Sequence, residues 1–255
     1  MKKLILLIVL IMTIGIYSQT MMQLWKGGIK IDSIAITNDL KLTFTAPTSA
    51  FTCGTSTVDY SGMTYHTVQM GTQCWLKENL NVGTMIDSMS DQSNNGIIEK
   101  YCYNNNPTNC TIYGGFYQWA EAVQYQNGAT NTTSPNPPFT GNVQGICPTG
   151  WHIPTNAEFT TLSTTVGGDG NALKAIGEGT GAGAGTNTSG FSGLLAGYRL
   201  DNKYFFSLGN YTYFWSSTEY SATITGYMIL SYNVSNIYFS NANKDNGFII
   251  RCVKD

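Results

Sequence analysis

Cys147-Pro-Thr-Gly-Trp-His-Ile-Pro-Thr-Asn-Ala-Glu-Phe159 carries the firmest local structure signal in the chain. Thr155 is a good N-cap, because its hydroxyl can accept from an orphan backbone N–H of a first helical turn. Glu158 stands three residues later, where its carboxylate reaches back to the Thr155 N–H and completes a capping box. Phe159, Leu162 and Val166 then fall on one face, and Gly167-Gly168 stops the helix. Upstream, Phe116, Trp119, Ala120 and Val123 recur at i, i+3, i+4 and i+7, which predicts a second helix within residues 113–125. A short third helix is expected over residues 171–176, ended by Gly177.

Strand signals surround these helices. Residues 64–70 roughly alternate after a turn at Asp59-Tyr-Ser-Gly-Met63. Past residue 190 the strand segments are 191–199, 204–208, 213–217, 227–232, 237–239 and 248–253, punctuated by Asn and Gly. Helices first and strands later predict an α+β domain rather than alternating βαβ units. Residues 178–190, Glu-Gly-Thr-Gly-Ala-Gly-Ala-Gly-Thr-Asn-Thr-Ser-Gly, have the composition of a flexible loop.

The first residues speak to compartment. Lys2 and Lys3 precede an apolar run to Ile16, then Ser18 and a polar turn at Gln19. That is the order of a secretory signal peptide, with cleavage expected after Ser18. The run is too short for a membrane span, and no later segment is apolar enough to make one. The expected division is a signal peptide over 1–18, a short β leader and linker over 19–50, and one main domain over 51–255. In the leader, Trp25-Lys-Gly-Gly-Ile-Lys-Ile-Asp-Ser-Ile34 reads as a turn and strand, and Leu40, Leu42 and Phe44 alternate with polar residues. Losing Lys2 and Lys3 with the signal peptide takes the formal net charge from −2 to −4. Weak acidity argues against nucleic acid or an anionic membrane as partner.

Six cysteines, Cys53, Cys74, Cys102, Cys110, Cys147 and Cys252, are even in number, which in an oxidising compartment points to disulfides. Many pairings are open to six cysteines. Loop closure favours Cys102–Cys110, because the intervening Tyr-Asn-Asn-Asn-Pro-Thr-Asn is turn-rich. Cys53 and Cys74 flank a hairpin-like stretch, which leaves Cys147 with Cys252.

Several strings occur together in one order: Val68-Gln-Met-Gly-Thr-Gln-Cys-Trp-Leu-Lys-Glu-Asn-Leu80, Tyr113-Gly-Gly-Phe-Tyr-Gln-Trp119, Cys147-Pro-Thr-Gly-Trp-His-Ile-Pro-Thr155, Gly190-Phe-Ser-Gly-Leu, Gly197-Tyr-Arg199, Phe214-Trp-Ser-Ser-Thr218 and Arg251-Cys-Val-Lys-Asp255. In this order residues 51–255 resemble the Fibrobacter succinogenes major paralogous domain. The resemblance implies a secreted or surface protein of a bacterium and assigns no activity. More distantly, His152-Ile-Pro-Thr-Asn-Ala-Glu-Phe159 and Gly247-Phe-Ile-Ile-Arg251 are similar to the C-type-lectin-like fold of formylglycine-generating enzymes, the sulfatase-modifying factors. That similarity implies an irregular antiparallel sheet, two to three helices and long loops. Fold alone does not give function.

Most chemistries lack their residues. His66 and His152 are the only histidines, and neither Cys-x-x-Cys nor His-Glu-x-x-His occurs, so no metal site is expected. The Glu-Pro-Asn and Trp-Asn-Asp strings of calcium-dependent lectins are absent; Trp215-Ser-Ser-Thr-Glu219 stands instead. No cofactor is expected beyond a structural calcium held by other oxygens. Glu121, Glu158, Asp169 and Glu219 are carboxylate candidates by default. Glycines 177–185 are followed by no Lys-Ser/Thr and form no phosphate loop.

Trp75, Trp119, Trp151 and Trp215 are expected in the core. Tyr198, Arg199, Tyr204, Tyr211, Tyr213 and Tyr220 lie among Asn, Ser and Thr near loops, where aromatic rings stack on sugars or anchor protein contacts. The function expected is a non-catalytic binding or adhesion module for a glycan or a surface protein. The alternatives are an extracellular enzyme of the formylglycine-generating type, which needs a free thiolate, or a structural surface component.

Overall fold

The computed structural model describes residues 21–26, 29–35 and 50–255. The expected signal peptide and the Leu40-to-Phe44 strand lie outside the described residues. Two compact units divide at Ala50/Phe51. In the first, strands β1 (Met21–Lys26) and β2 (Ile29–Ala35) pair antiparallel.

The second unit begins with β3 (Thr57–Tyr60), β4 (Met63–Met70), β5 (Gln73–Leu76), β6 (Thr84–Met85) and β7 (Glu99–Lys100). Helix α1 (Pro107–Tyr113), β8 (Phe116–Tyr117), helix α2 (Trp119–Ala122) and β9 (Trp151–His152) follow. Then come α3 (Asn156–Thr165), α4 (Gly170–Leu173), β10 (Tyr198–Arg199), β11 (Phe205–Phe206), β12 (Tyr211–Glu219), β13 (Ile224–Ser231), β14 (Tyr238–Asn243), β15 (Phe248–Ile249) and β16 (Val253–Lys254). Sheets dominate, and the helices are short.

Two five-stranded sheets organise this unit, in the orders β14-β13-β12-β15-β8 and β3-β4-β5-β16-β9. All their pairings are antiparallel except β12 with β15, where Phe214 faces Ile249. The last residues connect the two. β15 lies between β12 and β8, and three residues later β16 lies between β5 and β9. Ile249, Ile250, Cys252 and Val253 are buried along this crossing, so the chain's end is part of the core.

The core has two clusters. One gathers Leu76, Trp119, Ile146, Trp151, Trp215 and Phe248; the other gathers Trp75, Phe116, Phe159, Leu162, Phe191, Phe214 and Leu230. All four expected core tryptophans are in them. The disulfides are Cys53–Cys74, Cys102–Cys110 and Cys147–Cys252. The last ties the segment before β9 to the segment before β16.

Helix α3 starts as its sequence requires. Thr155 Oγ1 accepts from Glu158 N at 3.2 Å, and Glu158 Oε2 accepts from Thr155 N at 2.8 Å. Phe159 and Leu162 are its buried residues. The helix expected within 113–125 is not formed. Gly114 and Gly115 break the path: Gly114 has φ +87°, and a Cβ there would stand 2.6 Å from Asn79 Cβ. Phe116 is in β8 opposite Ile249, and α2 is a single turn. The helical spacing arose from one strand followed by one turn. Helix α1 was not expected; Asn106 caps it by accepting from Thr108 N, with Pro107 at its first position. The third helix is α4, and it ends before Lys174 instead of reaching Ile176.

Residues 178–190 are tied down, contrary to their composition. Thr180 N donates to Tyr232 O at 2.7 Å, Gly185 N to Glu178 O at 2.7 Å, and Thr186 N to Asn171 O at 2.8 Å. A Cβ at Gly183 would lie 2.3 Å from Tyr232 O. The glycines allow this backbone to pack against the end of β13.

Candidate functional site

In the first part of β12 and the second part of β13 burial alternates between the two faces, while the edge strand β14 is exposed on both. Thr212, Phe214, Met228 and Leu230 are buried, whereas Tyr211, Tyr213, Tyr227 and Ile229 are half-buried. The antiparallel register sets Tyr211 opposite Ser231, Tyr213 opposite Ile229, and Ile229 opposite Tyr238. Because paired residues share a face, Tyr211, Tyr213, Tyr227, Ile229 and Tyr238 lie on one face, which also carries the buried Trp215 opposite Tyr227; Tyr213 and Tyr227 pack against the first core cluster, and the face opens to solvent toward Tyr238. Tyr238 is 45% exposed.

The hairpin β10–β11 adds to it. Tyr198 lies 4.6 Å, centroid to centroid, from Tyr213, and Phe206 lies 6.0 Å from Tyr198. Tyr211 contacts both Tyr213 and Tyr232. Beside them on the neighbouring strand β15, the buried Phe248 contacts Tyr198, Tyr213, Tyr227 and Trp215. Burial, then the neighbouring Tyr198, Tyr227 and Tyr211, push the Tyr213 phenol well up, so it stays neutral. None of these side chains carries a charge at neutral pH. The result is a rigid, neutral aromatic face on a core-anchored sheet.

The structure therefore brings Tyr198, Tyr211 and Tyr213 together. It separates the other three candidates. Tyr220 is 60% exposed but follows the far end of β12, where Asn156 Nδ2 donates to its hydroxyl at 2.9 Å. Tyr204, also 60% exposed, is in the turn between β10 and β11. Arg199 is not a surface residue. It is fully buried, stacks 4.2 Å from the Tyr101 ring centroid, and donates from Nε and Nη2 to Ser88 O and from Nη1 to Asp245 O. Its charge suggested exposure, yet backbone carbonyls and Asp91 at 3.6 Å make burial tolerable.

The four carboxylate candidates have structural partners and do not converge. Glu121 is buried, and one oxygen accepts from Glu99 N at 2.9 Å; burial raises its pKa, only partly offset by that bond and by Tyr125 and Gln124. Asp169 caps α4 by accepting from Asn171 N at 2.9 Å. Glu219 pairs with the buried Lys244 ammonium, which also sits 4.2 Å from the Trp119 ring centroid. Glu158 serves the α3 cap and also binds His152. The buried His152 ring spans two carboxylates, Nε2 to Glu158 Oε1 and Nδ1 to Asp255 Oδ1, both at 2.7 Å. Desolvation disfavours the charged imidazole, but hydrogen bonds and charge from Glu158 and Asp255 outweigh it and raise the pKa.

All six cysteines are bonded in pairs. Among the described residues, no group of three or more His, Cys, Asp or Glu is placed to hold a metal ion. A cleft of about 290 Å³ opens between the β3–β4 hairpin, the segment after β5 and helix α1. Nothing in the sequence pointed to it, because its walls come from distant parts of the chain.

Residues 68–254 match the Fibrobacter succinogenes major domain. The chain belongs to that family. No curated protein and no solved structure matches it. The matched region of this Fibrobacter succinogenes major domain runs from within β4 into β16 and includes the whole aromatic face. It excludes Cys53 and β3, so the Cys53–Cys74 bond fastens a hairpin from just outside the match to β5.

Proposed function

We propose that this Fibrobacter succinogenes major domain is a non-catalytic extracellular binding module whose aromatic sheet face takes a glycan. The observation that carries the reading is the set of half-exposed rings at Tyr198, Tyr211, Tyr213 and Tyr238 on one uncharged face. Tyrosine offers large contact area at low entropic cost. Rings on paired strands are held in fixed positions before a ligand arrives, which removes ordering costs. A neutral face suits the C–H surfaces and hydroxyls of sugar rings, and the hydroxyls of the tyrosines themselves can donate and accept.

Export fits this role. The leader reads as a signal peptide, and three disulfides belong to an oxidising compartment. Among the described residues no helix is long and apolar enough to cross a membrane. A C-type-lectin-like arrangement is part of the proposal, supported by the short helices, the largely antiparallel sheets and the chain end running through the core. A structural surface protein or a protein ligand would use the same face differently.

The test is a glycan and surface-protein array probed with purified protein, followed by the Tyr211→Ala and Tyr238→Ala variants. Each is expected to weaken the selected ligand by about tenfold, the loss of roughly 1.4 kcal/mol of contact, with the melting temperature nearly unchanged. Tyr220→Ala, beyond the opposite end of β12 from Tyr211, is expected to bind as the parent does. Full binding by the Tyr211 and Tyr238 variants would place the site elsewhere.

A further inference from the structure

We propose that the cleft beside β5 is a second binding site, one that takes a small carboxylate on a hydroxylated ring, of the hexuronate class. It uses different residues from the aromatic face and stands independently of that reading.

The argument begins with charge. Lys77 and Arg251 both line the cleft. Arg251 is 1% exposed, and every acceptor it has is neutral: Asn79 Oδ1 takes Nε and Nη2 at 3.0 and 2.6 Å, and Phe191 O and Leu76 O take Nη1 at 2.8 and 3.3 Å. A guanidinium has five N–H groups, so one on Nη2 is left without an acceptor. No carboxylate lies within ion-pair distance of Arg251 or Lys77 among the described residues. Burial draws the Arg251 pKa down, to about 9, with the Glu78 carboxylate of the same wall partly opposing, which still leaves it charged at neutral pH.

The one carboxylate in the cleft wall is already engaged. Glu78 Oε2 accepts from His66 N at 2.7 Å, and Oε1 meets His66 Nδ1 at 2.9 Å. Asn81 contributes a further donor: its Oδ1 is taken by Lys100 Nζ at 2.7 Å, which leaves the amide N–H groups unassigned. The wall thus sets two cations against one carboxylate, which is hydrogen-bonded to His66, and so carries an excess of positive charge. A buried cation with no carboxylate in contact is costly, and a bound carboxylate would relieve that cost.

Size and rim narrow the ligand. About 290 Å³ is at the small end for a ligand site, enough for a monosaccharide unit. Met63 and Ile112, 36% and 52% exposed, flank the opening and offer apolar contact to the C–H face of a ring. A lining that joins the buried Arg251 to the more exposed Met63 and Ile112 suits a sugar acid entering carboxylate first.

The experiment is an NMR and calorimetric titration of the purified protein with galacturonate and glucuronate, and with galactose and acetate as controls. A uronate is expected to saturate, with galactose and acetate each at least about tenfold weaker, because a truncated charge or ring forfeits on the order of one such factor. Lys77→Ala is expected to raise the uronate Kd about tenfold at unchanged melting temperature; Lys77→Arg and Tyr211→Ala are expected to retain it. No saturation by either uronate, galactose or acetate binding as well as the uronate, or an unaltered Kd in Lys77→Ala would overturn the proposal.

Discussion

Arg251 donates from Nε and Nη2 to a single acceptor, Oδ1 of Asn79, across 172 residues of sequence. The same Asn79 donates from Nδ2 to Tyr113 O at 2.7 Å, at the end of α1. One buried amide therefore joins the segment after β5, helix α1 and the crossing between the two sheets. Both residues sit in strings that carry the sequence resemblance, Lys77-Glu-Asn-Leu80 and Arg251-Cys-Val-Lys-Asp255, and the contact joins those distant strings in space.

Asn79→Ala should therefore be costly. It removes the acceptor of a buried cation and the donor to a helix-terminal carbonyl, with an expected loss of about 2–4 kcal/mol. Asn79→Asp should lose less, because it keeps an acceptor for Arg251. Urea denaturation reads both. A Asn79→Ala midpoint equal to that of the parent would mean the guanidinium finds another acceptor without penalty.

Stability should depend on pH through His152 and Glu158. The His152 pKa is raised above 6.5, so its contribution is complete below 6.5 and lost as pH rises through the folded value. The Glu158 pKa is lowered below 4.5: desolvation opposes this, but His152 and Thr155 prevail, so its contribution holds above 4.5 and fades as pH falls. The pair therefore stabilises most between about 4.5 and 6.5. Denaturant midpoints across pH should decline on the alkaline side in the parent and flatten there in His152→Gln. An equally steep alkaline decline in the variant would assign it to other groups.

The parts of the structure that were readable in sequence are those decided locally. Thr155 and Glu158 specify the α3 start within four residues, and the short Cys102–Cys110 loop specifies its own closure. The strand expected over 213–217 begins earlier, at Tyr211, and only the register places Tyr211, Tyr213 and Tyr238 on one face. What local pattern cannot show is burial of a charge. Arg199, Lys174, Lys244 and Arg251 are all fully enclosed, and each is made tolerable by carbonyls, amides or a carboxylate from remote segments. The Phe116–Val123 stripe misled for the reverse reason, because Gly114 and Gly115 must pass close to Asn79 and Tyr117, a tertiary constraint that overrides helical spacing.

The Cys147–Cys252 bond spans 105 residues and holds the crossing strand in place. Replacing both cysteines with serine should remove about 4–5 kcal/mol in the chain-entropy account. Because the bond lies inside the first core cluster, the yield of folded protein as well as the denaturation midpoint should fall. A double variant within about 1 kcal/mol of the parent would show that packing around Ile250 and Val253 suffices to close that loop.

Lys174 decides whether residues 178–190 stay ordered. Its ammonium is fully buried and donates to three backbone carbonyls, those of Gly183, Ser231 and Val234. Desolvation lowers its pKa, with Asp169 partly opposing, and three acceptors replace its water shell. The lysine thereby fastens the glycine-rich loop to the end of β13, the strand that carries Tyr227 and Ile229 on the aromatic face. Lys174→Met keeps most of the volume and leaves three carbonyls without a donor, so a loss of about 2–4 kcal/mol is expected. Since glycine keeps little conformational preference of its own, the loop should loosen before the sheet does. Limited proteolysis should then cut within 178–190 in the variant and not in the parent, and amide exchange should rise at Thr180 and Gly185. Parent-like protection at both amides would mean that backbone bonds alone hold the loop and that the buried ammonium is incidental to its order.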